Sequence, residues 1–329
     1  MFLIVVRYIS FLCLLVLHVD YLNAEWNTKD FLKREHSLVK PYQGSGFGVP
    51  NWDFQGSTMV TSNYIRLTPD DRSRQGAIWN KLPCRVRNWE VQINFKVSGT
   101  TKDLFGDGFA FWYVRDRMQM GPVFGSKDFF SGLALMADTY SNQMSPTKHQ
   151  HPYLSAMINN GSLEYDHDKD GSMTSIGGCE VKFRNLNHET WLAIRYEDDR
   201  LTVSHDLENK RAWQQCFSIP NVKLPTGYYF GVTATTGDLS DAHDVIGIKT
   251  YELDTVPGVS KDERPHIIPE SEVVIKMHEE QKPKEESASW SGTKKFFVGL
   301  IVTLGIVAIA VIGIMIYQNQ QENNRKRFY

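Results

Sequence analysis

Apolar and polar residues alternate with a period of two along Val91-Gln92-Ile93-Asn94-Phe95-Lys96-Val97, which predicts a strand with one buried face. Gly108-Phe109-Ala110-Phe111-Trp112-Tyr113-Val114 and Gly132-Leu133-Ala134-Leu135-Met136 are continuous apolar runs, fitting strands inside a sandwich. The runs 191–196 and 200–204 face each other across Glu197-Asp198-Asp199, a hairpin turn. Residues 228–234 form another buried run. Long helical periodicity is missing from this part of the chain, so the pattern predicts an all-β domain over residues 25–253: one large two-sheet sandwich.

The pattern changes at both ends. Met1 to Arg7 carry one positive charge, residues 8–19 are mostly apolar, and Leu22-Asn23-Ala24 offers a small residue for cleavage. Residues 1–24 therefore read as a signal peptide, with a signal anchor as the competing reading. Residues 296–317 hold 22 positions without a charge, about 33 Å of helix, enough to cross a bilayer. A cleaved signal leaves the body of the chain in the lumen and residues 318–329 in the cytosol. Arg325, Lys326 and Arg327 agree with that orientation, while Lys294 and Lys295 pull weakly against it. The expectation is a single-pass type I membrane protein. Between sandwich and span, residues 254–295 are rich in Pro, Glu, Lys and Ser and read as a stalk, with one or two helical turns within 270–280. The stalk has no sustained heptads and no cysteine, so no covalent oligomer is expected from it.

Net charge is −2 over 329 residues, and no basic patch runs through the lumenal part, which argues against a nucleic-acid partner. Of four cysteines, Cys13 leaves with the signal. Three pairs remain among Cys84, Cys179 and Cys216. Cys179–Cys216 is preferred because these two flank a run of strands in an oxidising compartment. Asn160-Gly161-Ser162 is a glycosylation sequon if this region is lumenal.

Four polar loops interrupt the apolar scaffold: Asp70-Asp71-Arg72-Ser73; Phe105-Gly106-Asp107-Gly108; Asp138-Thr139-Tyr140-Ser141-Asn142 together with Asp166-His167-Asp168-Lys169-Asp170-Gly171; and Thr236-Gly237-Asp238-Leu239-Ser240-Asp241. Singly, each is ordinary turn chemistry. Together they supply carboxylates, a carboxamide and backbone carbonyls, an all-oxygen set suited to Ca²⁺. The segment 166–171 opens like an EF-hand loop, but its twelfth position is Gly177 where a bidentate Glu is required. An EF-hand is therefore excluded, and calcium in another geometry is not.

These loops, with Asn159-Asn160-Gly161-Ser162, Tyr165 and Leu224-Pro225-Thr226-Gly227-Tyr228-Tyr229-Phe230-Gly231, carry a resemblance. The chain resembles the L-type, legume-lectin-like cargo lectins of the animal early secretory pathway, and within them the vesicular integral-membrane lectin subfamily. The resemblance covers nearly the whole chain and implies a jelly-roll sandwich binding high-mannose N-glycans through calcium. Carried over by motif, Asp138, Asn142 and Asp170 give side-chain oxygens to the ion and Tyr140 its carbonyl. Asp107, Asn142, His167, Asp170, Gly237, Asp238 and Leu239 line the mannose site, with Ser73 at its edge. The Cys179–Cys216 bridge is also implied, with Cys84 free.

The chemistry of these residues suits that role. Carboxylates accept from sugar hydroxyls, backbone N–H groups donate to them, and glycine lets the main chain come close. His167 has two readings: a neutral hydroxyl partner, or a switch whose protonation weakens the site as pH falls. The tail Arg325-Lys326-Arg327-Phe328-Tyr329 resembles family tails whose basic residues serve retrieval or retention and whose terminal aromatics serve export by coat complexes. Cycling between endoplasmic reticulum and Golgi follows as an expectation. No catalytic residues are assigned. The rival readings are a jelly-roll glycosidase, whose Glu-x-Asp-x-Glu strand is absent, and a protein-binding receptor without lectin activity.

Overall fold

The computed structural model describes residues 31–42, 48–142, 149–253, 264–272, 274 and 292–325. The signal segment, most of the stalk and tail residues Lys326, Arg327, Phe328 and Tyr329 lie outside them. In chain order the strands are β1 (Trp52–Gly56), β2 (Met59–Val60), β3 (Ile65–Thr68), β4 (Gln75–Asn80), β5 (Trp89–Ser98), β6 (Gly108–Val114), β7 (Ser131–Asp138), β8 (Tyr153–Asn160), β9 (Gly177–Glu180), β10 (Thr190–Glu197), β11 (Arg200–Asp206), β12 (Gln214–Ile219), β13 (Val222–Lys223), β14 (Tyr229–Thr235), β15 (Ala242–Glu252) and β16 (Glu270–Ser271).

Two antiparallel sheets, of seven described strands each, form a sandwich. One runs β1-β4-β14-β6-β7-β8-β9 and the other β12-β11-β10-β5-β15-β3-β2. The alternation in β5 does what it predicts: Val91, Ile93, Phe95 and Val97 are buried between the sheets, while Gln92 and Lys96 are half-exposed. Trp89 of the second sheet packs against Tyr113 and Phe230 of the first, with ring centroids 5.2 and 5.1 Å apart, so aromatic area closes the centre of the core. The hairpin β10–β11 pairs Glu197 with Arg200. Its two turn residues, Asp198 and Asp199, both have positive φ (47° and 61°), as a two-residue turn matching strand twist requires.

The apolar runs β6 and β7 are buried along their whole length because the first sheet is covered on both faces. Its inner face meets the main core. Its outer face carries a second cluster, including Trp79, Trp112, Met136, Met157, Phe124, Phe130 and Tyr165. Phe124, Phe130 and Tyr165 come from loops, so loop segments lie on the sheet with an apolar footing of their own.

Cys179 and Cys216 are bonded, with Cα atoms 5.6 Å apart. They join β9 to β12, one edge strand of each sheet. Cys84 is free and buried, and burial pushes its thiol up to about 12.

The region read as stalk is not uniformly detached. Glu270–Ser271 pairs with β13 as a strand, the backbone is helical at Glu272 and Val274, Val274 is buried, and the Arg264 guanidinium donates to Asp199 at 2.9 Å. These residues pack on the sandwich, extending the folded unit past Leu253. The remaining unit carries helix α1 (Gly292–Arg325). Its stretch Phe296–Gln321 is long and apolar enough to cross a membrane, with a mean hydropathy of 2.9 in its most apolar window.

Candidate functional site

Strand register assembles the polar loops. Cα pairing runs Gln75–Thr235–Gly108–Asp138–Tyr153–Glu180 in one row across the first sheet. The row marks one end of β4, β14, β6, β7, β8 and β9. The chain segments before residue 75, after 235, before 108, after 138 and before 153 therefore all emerge at the same end of the sheet. Positions from 70 to 241 meet there because antiparallel pairing returns each strand to it.

One half of the site is built on Asp138, the last residue of β7. Its carboxylate is buried, and its Oδ1 accepts from the Tyr140 N–H at 3.0 Å, an Asx turn that sets the course of residues 138–142. The segment 166–171 reaches it through the Asn142 N–H, which donates to Asp170 Oδ1 at 2.9 Å. Asp170 follows the short 3₁₀ turn His167–Lys169 and sits in the left-handed region, φ 48°. Tyr165 anchors the segment in the second cluster, and its ring fills the space above Gly171 so closely that a Cβ there would lie 2.2 Å from Cε2.

Sequence reasoning missed His151. Its side chain is 6% exposed, and its Nε2 lies 3.6 Å from Asp138 Oδ2. That exceeds hydrogen-bond length, and neither ring nitrogen has a hydrogen-bond partner among the described residues. Donor atoms of Asp138, His151 and Asp170 lie within 4.8 Å of one another. Burial raises the Asp138 carboxyl, opposed by His151. Burial pulls the imidazole down, and Asp138, with Asp170 and the His149 backbone, more than offsets this, for a net rise. The available signal was His151-Pro152 ahead of the strand that pairs with β7. Beside it opens a cleft of about 240 Å³, lined by His149, Tyr153, Lys169 and Asp170 among others.

These groups fit a hard divalent cation. The Asp138 and Asp170 carboxylates come close enough to share one ion, and their oxygens are the donors Ca²⁺ prefers, while the His151 nitrogen is not. A cation would also relieve the buried Asp138 carboxylate. The buried Thr139 hydroxyl has no hydrogen-bond partner among the described residues.

The other half centres on Asp107. Its main chain is fixed on both sides: its N–H donates to Thr235 O at 3.3 Å, and its carbonyl accepts from the Thr139 N–H at 2.9 Å. No donor among the described residues reaches its carboxylate. Burial, with the charges of Asp138 and Asp238, pushes that carboxyl up to about 6. Gly237 faces it, and a Cβ at 237 would come within 3.1 Å of Asp107 Oδ2. Ser73 sits at the rim, donating its N–H to Gly237 O at 3.0 Å. The halves touch at Gly106, where a Cβ would lie 3.2 Å from Tyr140 Cβ and 3.6 Å from Leu239 Cβ.

The structure thus gathers Asp138, Tyr140, Asn142 and Asp170 on one side, and Ser73, Asp107, Gly237 and Leu239 on the other. Asp238 is exposed beside Asp107. His167 is exposed and stands edge-on to Tyr165, ring centroids 4.8 Å apart. Asn160 closes β8 away from this end, exposed, with its Oδ1 accepting from the Ser162 hydroxyl at 2.6 Å.

The model of the legume-like lectin family matches residues 29–259. The human vesicular integral-membrane protein VIP36 is 50% identical over 313 residues, covering 91% of this chain and 86% of its own. The crystal structure of the VIP36 exoplasmic/lumenal domain in its Ca²⁺/Man2-bound form superimposes with a TM-score of 0.69 at 54% identity, covering 73% of this chain and 98% of that one. The metal-free form of the same domain matches equally, at TM-score 0.69 and 55% identity, with 73% of this chain and 99% of that one covered.

Proposed function

Because the chain belongs to the legume-like lectin family, we propose that it is a calcium-dependent lectin that binds mannose on high-mannose N-glycans in the secretory pathway. The Asp107 carboxylate carries this reading. It is fixed by its main chain, largely withdrawn from water and without a protein donor, so it is an acceptor held ready for ligand hydroxyls. The facing main chain at 237–239 is open to close approach at Gly237. A similar domain that binds Ca²⁺ and a mannose disaccharide supports the same assignment.

Asp138, Asn142 and Asp170 hold Ca²⁺ through side-chain oxygens, and Tyr140 through its carbonyl. Bound there, the ion supplies charge that keeps the two loops together. Asn142 and Asp170 would each touch both ion and sugar. Asp107 and Asp238 accept from mannose hydroxyls, the 237–239 main chain donates to them, and His167 and Ser73 border the ligand. The protein binds its glycan without cleaving it. Lumenal exposure of the sandwich, a bridge to cytosolic coat complexes through Arg325 to Tyr329, cycling between endoplasmic reticulum and Golgi membranes, and a glycan on Asn160 complete the reading. The detergent-solubilised full-length chain on a high-mannose glycan array, with and without chelator, tests it. Chelator-sensitive mannose binding, lost in Asn142→Ala with an unchanged thermal transition, is expected. Release of a sugar product, or binding indifferent to chelator, overturns it.

A further inference from the structure

The two halves of the site meet where Asp107 O accepts from the Thr139 N–H, but the sugar half also has support of its own. The sugar half is tied by a network that shares no residue with the ion's proposed ligands. The Arg184 guanidinium donates to the Asp241 carboxylate through Nε at 2.9 Å and Nη2 at 2.8 Å, and the two side chains are 8% and 0% exposed. The same Nη2 donates to Thr101 O at 2.7 Å, and the guanidinium carbon lies 4.0 Å above the centre of the Phe105 ring, two residues before Asp107. Asp70 joins the remaining loop: its carboxylate accepts from the Ser240 hydroxyl at 2.7 Å and from the Thr100 N–H at 2.9 Å. Gly99 shows how tightly the parts fit, since a Cβ there would fall 2.0 Å from Asp241 Oδ1.

We infer that Arg184 is a positioning residue for the sugar: with Asp241 and Asp70 it fixes the distance between the Asp107 carboxylate and the 237–239 main chain. The inference rests on the mannose reading above. Only a planar fork donates twice to one carboxylate while stacking on an aromatic ring and reaching a carbonyl, which makes lysine a poor substitute. A loop held in binding geometry loses less freedom when the ligand arrives.

The test measures calcium affinity and, at saturating calcium, affinity for an α-linked mannose disaccharide, both by calorimetry on the full-length chain in detergent. In Arg184→Gln the sugar affinity should fall at least about tenfold while calcium affinity stays within about twofold. Arg184→Lys should recover little, and Arg184→Gln with Asp241→Asn should be no worse than either single change. Asp70→Asn, which leaves the buried pair intact, should weaken sugar binding several-fold and serves where the Arg184 variants do not fold. Unchanged sugar affinity, or a parallel loss of calcium affinity, overturns the inference. Failure of the unaltered chain to bind the disaccharide instead refutes the lectin reading on which it rests.

Discussion

Asp107→Asn should stabilise the calcium-free protein while abolishing sugar binding. The carboxyl titrates at about 6 rather than 3.8, chiefly through burial. Below pH 3.8 it is protonated in folded and unfolded chains alike and costs nothing. As pH rises toward 6 the unfolded chain ionises first, so the fold loses the advantage that a raised carboxyl confers, and above 6 the loss is complete. The full displacement corresponds to about 3 kcal/mol, and to about 1–2 kcal/mol once solvent screening of a partly exposed group is allowed for. Asparagine has the same shape and no charge, and no protein donor is lost with the carboxylate. For a domain of this size the gain is about 2–8 °C in Tm. Melts of both full-length proteins in chelator, from pH 7.5 downward, should show Asp107→Asn the more stable at pH 7.5 and the difference closing toward pH 4. A variant no more stable than the parent at pH 7.5, or a gap that ignores pH, would refute the idea that this acceptor is held against a desolvation cost.

Three further outcomes follow from the same geometry. Asp138→Asn should weaken calcium binding by about 10- to 100-fold, as loss of a charged contact of about 1.5–3 kcal/mol implies, read by calorimetry. Calcium at about 100 times its Kd should stabilise the fold by about 2.7 kcal/mol, raising Tm by about 5–11 °C, and chelator should reverse this. Replacing Cys179 and Cys216 by Ser opens a crosslink spanning 37 residues between the two sheet edges. About 4 kcal/mol and about 8–16 °C should be lost, and a melt within 2 °C of the parent would contradict it.

Much of the fold could be read from periodicity, because period two directly reports a strand's buried face. Val91 to Val97, the run 108–114 and the hairpin through Asp198 and Asp199 were readable in this way. Register was not, since alternation says which face a residue takes but not which residue lies opposite. The row from Gln75 to Glu180 that gathers the loops therefore emerged only with the structure. The resemblance named the carboxylates and Asn142, but His151 carried no motif and acquired meaning only when β8 placed it beside Asp138. Arg184 carried no sequence signal and Asp241 stood only as the end of a polar loop; their pairing and burial came with the structure. Residues 264–272 and 274 fall in a stretch that looked too polar and proline-rich to pack, yet a two-residue strand, two ion pairs and Val274 seat them on a surface already formed by others.

The second apolar cluster has a consequence for the life of the protein in the cell. Tyr165 and Phe124 hold the recognition loops to the outer face of the same sheet whose inner face forms the main core. Loosening those loops would expose aromatic surface that the sheet now covers. A copy with an ill-formed recognition end should therefore lose solubility together with its ligand.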